Sequence, residues 1–196
     1  MINHNKKYIF IHIPKTGGSS IEKALLSNEG VDMSSVGKTI FSNLSKDILD
    51  EYVLGKNRQH LEMHEFDDEF QKNYFSFCFV RNPWDWIVSE FEWMRDVYND
   101  FDEYIYRIKN GSVMVYKYHL NPQISFINKN IKFIGRFENF KDDFLKVCKT
   151  IGIPDLELPH IYKNTRMDYR SYYNAETKKI IENIYLKDIL EFGYKF

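Results

Sequence analysis

Cysteine is scarce: the 196 residues hold two, Cys78 and Cys148. Both sit in apolar runs, FSFCFV and FLKVCKT. Two cysteines cannot form the disulfide framework of a small secreted domain, so both are expected as reduced core thiols. Long apolar stretches are also missing. The N-terminal apolar run covers only Tyr8 to Pro14. A spanning helix needs roughly 20 apolar residues, and a secretory leader needs a small-residue cleavage site. No integral membrane segment is expected, and the chain reads as cytoplasmic. Nor is there a surplus of positive charge: 27 Lys and Arg face 28 Asp and Glu, a net charge of −1. Proteins that grip nucleic acid generally carry a basic surface, so no nucleic-acid partner is expected. A small anion needs only a local cationic pocket and stays open as a ligand. Repeats, low-complexity tracts and linkers rich in Pro, Gly or Ser are absent, so residues 1–196 read as a single domain.

What is present is a recurring strand–loop–helix unit. Residues Lys7–Ile13 form an apolar run rich in β-formers that ends in Pro14 and a Gly pair, and IEKALL follows as a helix. Residues Tyr74–Val80 form a second such run, broken by Asn82-Pro83. Apolar residues then recur at helical spacing from Trp84 to about Tyr98. Ile131–Phe137 is a third strand. Asn139 is positioned to cap a helix ended by Gly152 and Pro154, and Asn174 caps a last helix running through Ile180, Ile181, Ile184, Tyr185 and Ile189. Residues 28–72 are expected to hold a helix and a short strand, and residues 100–130 to be partly helical. Alternating strands and helices point to an α/β fold with a parallel sheet, whose buried strands should be apolar on both faces.

The first loop reads His12-Ile13-Pro14-Lys15-Thr16-Gly17-Gly18-Ser19-Ser20. It leaves a strand and enters a helix, whose first turn offers unpaired N–H groups and partial positive charge to a phosphate or sulfate. Gly17 and Gly18 let the backbone come close to an anion. Thr16, Ser19 and Ser20 add hydroxyls, and Lys15 a full charge. The Walker A pattern has its lysine after the glycines, whereas here the lysine precedes them. The second loop is FVRNPWDWIVSEF. Arg81 stands at the carboxyl end of a strand, where α/β proteins bind ligands. Its guanidinium can hold a phosphate with two hydrogen bonds, and Ser89 adds a hydroxyl two turns into the helix. His12 and the pair Trp84 and Trp86 are expected in structural roles.

These two segments resemble the PAPS-dependent sulfotransferases (PAPS is 3′-phosphoadenosine-5′-phosphosulfate). HIPKTGGSS is similar to their 5′-phosphosulfate loop, and FVRNPWDWIVSEF to their 3′-phosphate segment, with Arg81 and Ser89 at its ligand positions. IGRFENF and the ending LPHIYKNTR…YRSYY…FGYKF extend the resemblance toward the carbohydrate O-sulfotransferases of the heparan and chondroitin type, the family-2-like branch, and their small bacterial relatives. It runs from Tyr8 to Phe196. One departure is that relatives from the secretory pathway carry an N-terminal membrane anchor.

The resemblance implies a P-loop nucleotide-kinase-like three-layer fold with a central parallel sheet flanked by helices. It implies PAPS as co-substrate, PAP as product and no metal. It gives Lys15 the oxygen bridging sulfur and phosphate, where charge develops. The acceptor is then a carbohydrate or another molecule bearing a hydroxyl. A base is needed for that hydroxyl, and histidine is the commonest choice. Heparan-type relatives place a catalytic histidine just upstream of the second nucleotide strand, and QHLEMHEF occupies that position. His60 aligns best, with His64, Glu62 and Glu65 as runners-up. His64 and His119 are candidates for contacting the acceptor. Lys163, Thr165 and Arg166 either fold over the 3′-phosphate or adenine or belong to a solvated loop. Two other classes remain in view, a P-loop-like small-molecule or nucleoside kinase and a non-catalytic nucleotide- or glycan-binding module.

Overall fold

The computed structural model describes residues 1–31, 59–115, 118–153, 156–159 and 166–196. Along the chain lie β1 (Ile2–Asn3), β2 (Tyr8–Ile11), α1 (Gly18–Asn28), α2 (Asp68–Asn73), β3 (Phe75–Val80), α3 (Pro83–Trp93) and α4 (Phe101–Lys109). They are followed by β4 (Phe133–Arg136), α5 (Phe140–Thr150), α6 (Ala175–Ile184) and α7 (Leu186–Phe192). Short 3₁₀ turns occur at Met63–Glu65, Gln123–Phe126, Phe137–Asn139 and Tyr169–Tyr172. The result is a mixed α/β fold with a four-stranded sheet, in the order β1-β2-β3-β4, flanked by helices.

The expected parallel sheet is present as β2, β3 and β4, with Phe10 opposite Phe77 and Phe77 opposite Phe133. The sheet is nevertheless mixed, because β1 pairs antiparallel with β2. Two residues are too few to show a pattern in sequence. Asn3 sets up the reversal, its side chain accepting from the Lys6 N–H at 2.8 Å. Strand β2 is shorter than the apolar run that announces it. The chain turns out of the sheet at His12, and the Ile13 N–H bonds back to the Ile11 carbonyl.

The chain divides into two compact units. The first is Met1–Val80 with Ser125–Lys163, and the second Arg81–Ile124 with Asn164–Phe196. In the first unit, every residue of β2 is fully buried, as a strand covered on both faces requires. Tyr8, Phe10, Phe77 and Phe79 recur at every second position and pack with Ile21, Ala24, Leu25 and Leu26 of α1 and with Phe144, Val147 and Cys148 of α5. Each such ring contributes roughly 1.5–3 kcal/mol by leaving water. Both cysteines are unpaired and buried, and burial pushes the Cys148 thiol up to about 11. Helix α5 ends at Gly152 (φ 71), where the Ile153 N–H reaches the Cys148 carbonyl at 2.8 Å. Pro154 lies outside the described residues. Asn139 precedes α5 without capping it through its side chain, which instead donates to Asp143 Oδ1.

In the second unit, α3 is buried on nearly every side. Pro83 opens it, and the Asn82 side chain accepts from the Trp84 N–H. Trp84 and Trp86 lie in the core, where Trp86 meets the edge of Tyr185. The helix stops at Trp93, short of Tyr98, and residues 94–97 close as turns. Asn174 caps α6, accepting from the Glu176 and Thr177 N–H groups. The single last helix read from the sequence is two, α6 and α7, broken at Tyr185. The break lets Asp188 accept from the backbone N–H groups of Gln123 and Ile124 at 2.8 and 2.9 Å. Of the stretches read coarsely, residues 32–58 lie outside the described residues, α2 begins within 28–72 and ends at Asn73, and α4 falls within 100–130.

Candidate active site

In the first unit, the loop after β2 turns through two left-handed residues, Lys15 (φ 60) and Gly17 (φ 89). A non-glycine residue held in that region costs on the order of 1–2 kcal/mol. The buried Thr16 hydroxyl fastens the turn by donating to the Ile13 carbonyl at 2.8 Å. Gly17 is left-handed and Gly18 begins α1. A left-handed residue at such a strand-to-helix turn is the kind of backbone from which anion-binding nests are built. No side chain caps the first turn of α1, which carries Ser19 and Ser20; the Ser20 N–H bonds to the Gly17 carbonyl at 3.0 Å. The glycines have a second reason to be there. A Cβ at Gly17 would lie 2.6 Å from the Phe140 ring, and one at Gly18 2.1 Å from the His12 ring.

His12 is buried. Its Nδ1–H donates to Glu22 Oε1 at 2.8 Å, and its ring stacks on Phe10 at 5.7 Å. Glu22 is fully buried on α1, and its other oxygen accepts from Gln59 Nε2 at 2.8 Å. His60 bonds through Nδ1 to the His12 carbonyl at 2.8 Å, and the two rings meet edge to face at 4.6 Å. His64 sits elsewhere, on the 3₁₀ turn Met63–Glu65. It is 70% exposed and 3.2 Å from Glu62. Glu65 is occupied in the capping box of that turn, accepting from the Glu62 N–H. In QHLEMHEF, His60 is bonded to the residue that opens the loop carrying Lys15.

The second unit opens with Arg81. Its backbone N–H and C=O are both bonded at 2.8 Å by the Gln123 side chain, which stands in for a strand partner. The buried guanidinium donates from Nε to Asp85 Oδ2 at 2.6 Å, and Arg166 Nη2 donates to the other Asp85 oxygen. Two guanidiniums thus share one carboxylate. Burial pushes the Asp85 carboxyl up, but Arg81 and Arg166 outweigh it and hold the group below its ordinary value of 3.8. Arg166 Nη1 is buried and makes no hydrogen bond among the described residues. An orphaned donor of this kind costs roughly 1–3 kcal/mol, and more when charged. A phosphate oxygen is the chemistry that would satisfy it. Ser89 follows Asp85 by four residues on α3, hence on the same helix face. Lys163 and Thr165 lie outside the described residues. His119 is buried and bonded through Nδ1 to both oxygens of the fully buried Glu90, at 2.9 and 3.1 Å, beside the Trp93 ring.

Sequence reasoning missed Asp85, Glu22, Gln59 and Gln123. For Asp85 a signal existed: an acidic residue in the first helical turn, four residues after an arginine. The other three act across 10 to 42 residues of chain, and no local spacing marks them. Among the described residues, no group of three or more His, Cys, Asp or Glu could hold a metal ion, and no helix is long and apolar enough to cross a membrane.

Comparison with known proteins adds two findings. A family model described as "Sulfotransferase family" matches residues 1–195. An uncharacterised protein of Archaeoglobus fulgidus is 35% identical over 86 residues, covering 42% of this chain and 71% of that protein.

Proposed function

The chain belongs to the sulfotransferase family, and from that premise we propose that it moves a sulfuryl group from PAPS to a hydroxyl on a carbohydrate. The proposal extends to the fold, a three-layer arrangement of the P-loop nucleotide-kinase type in one domain. The observation that carries it is the loop His12–Ser20, a turn through left-handed Lys15 and Gly17 into a helix with no side-chain cap. Thr16, Gly17, Gly18, Ser19 and Ser20 take the 5′-phosphosulfate. Arg81 and Ser89 take the 3′-phosphate, and Arg166 offers it the unsatisfied Nη1–H. Lys163 and Thr165 are assigned to the same end of the nucleotide, and His64 and His119 to the acceptor.

The reaction makes one bond and breaks one. The acceptor oxygen bonds to sulfur as the sulfur–oxygen link to the 5′-phosphate breaks, and PAP leaves with the electron pair. Lys15 stabilises the charge growing on that phosphate oxygen. His60 takes the hydroxyl proton on Nε2. The test is transfer of labelled sulfate from PAPS across a panel of glycans, phenols and tyrosyl peptides, with PAP measured as product. Transfer to a glycan is the expected result. Transfer to phenols or peptides alone would replace the acceptor class. Phosphate transfer from ATP and magnesium, with no PAP formed from PAPS, would make the chain a kinase and end the proposal.

A further inference from the structure

We infer that Glu22 is a positioning residue that holds His60 in one orientation and one tautomer; this rests on the proposed role of His60 as base. A backbone carbonyl has no proton to give. A ring nitrogen 2.8 Å from the His12 carbonyl therefore carries the hydrogen. His60 Nδ1 is the donor, and in the neutral ring the lone pair is on Nε2. That is the nitrogen a general base must present.

The carbonyl that selects this tautomer is itself held in place. His12 is clamped on three sides: Nδ1–H on Glu22 Oε1, one face on Phe10, one edge against Gly18. Gln59, the residue next to His60, donates to the remaining Glu22 oxygen at 2.8 Å. One buried carboxylate on α1 therefore ties down both the residue whose carbonyl His60 bonds and the residue beside His60 in the chain. Both carboxylate oxygens accept a hydrogen bond, which is what a buried acid needs to be tolerated. The edge-to-face contact of the two histidine rings limits rotation of His60 without displacement of His12. A reactive group locked by its surroundings keeps productive geometry, whereas a group merely nearby does not.

The test reads the tautomer directly. In the full chain labelled with ¹⁵N-histidine, long-range proton–nitrogen correlation spectra separate protonated from unprotonated ring nitrogens. The His60 signals are assigned by their loss in His60→Gln. The expected result is Nδ1 protonated and Nε2 bare in the parent, with the two nitrogens moving toward averaged shifts in Glu22→Gln. With the acceptor found in the glycan panel, Glu22→Gln lowers kcat about 10- to 100-fold, as a misplaced catalytic group does, and KM for PAPS stays within about twofold. Should Glu22→Gln fail to fold, Gln59→Ala removes only one of the carboxylate's two donors and is expected to shift the His60 signals the same way by less. A parent His60 protonated on Nε2 overturns the inference, as do His60 signals that stay put in these variants. Undiminished turnover in His60→Ala would instead end the reading of His60 as base, and the tautomer readout then decides on Glu22 by itself.

Discussion

At Asp85 a single carboxylate serves two guanidiniums, and its loss should be felt in acid-dependent stability. The carboxyl is more acidic in the folded chain than in the unfolded one. Its contribution is therefore complete above the ordinary value of 3.8 and is lost as pH falls through the lower folded-state value. Asp85→Asn is expected to cost on the order of 2 kcal/mol at pH 7. The gap to the parent should close as pH drops below 3.8, read from urea midpoints across pH. A gap constant down to pH 2 would mean that the pair adds nothing to the fold. Lys15 is a different case, because its assigned task belongs to the reaction. Lys15→Ala is expected to abolish transfer from PAPS while PAP affinity, measured by calorimetry, falls only modestly. Alanine at a left-handed position is no more strained than lysine, so the fold should survive. Unchanged turnover would remove Lys15 from the chemistry.

Among the elements, the start of α1 leaves least room for change. Gly18→Ala would drive a methyl group into the His12 ring. Overpacking of this kind costs about 1–3 kcal/mol, and the displacement should reach His60 through the His12 carbonyl. Thermal unfolding of the variant checks the first effect. Caps offer a sharper comparison. Asn174 accepts from two N–H groups at the start of α6, whereas Asn139 stands before α5 without a side-chain cap bond. Asn174→Ala should therefore cost about 1 kcal/mol, and Asn139→Ala clearly less. Equal losses in urea denaturation would contradict the capping difference. The two asparagines look alike in sequence. Asp143 separates them, accepting from the Asn139 side chain and from the Arg136 N–H and so drawing the first asparagine away from the helix end.

Across the whole molecule, Phe77 occupies the middle strand of the parallel set, stacked at 5.0 Å on Phe10 and 5.9 Å from Phe75. Phe77→Ala is expected to cost about 3–5 kcal/mol, the usual result of emptying a close-packed aromatic site. Urea denaturation checks it, and a loss below 1 kcal/mol would show that the core can collapse around the gap. The chain's own residues, read in order, determined that strands form at Tyr8–Ile11 and Phe75–Val80, because continuous apolar runs are stable only when buried on both faces. They also determined the family, the Lys15–Gly17–Gly18 loop and the Arg81 junction, because those depend on neighbours within a few positions. Tertiary structure alone decided the rest. The antiparallel β1, the break at Tyr185 and the roles of Glu22, Gln59, Asp85 and Gln123 arise where buried polar groups must find partners. Apart from Asp85, those partners lie five to 65 residues away along the chain, at no spacing a sequence pattern could mark.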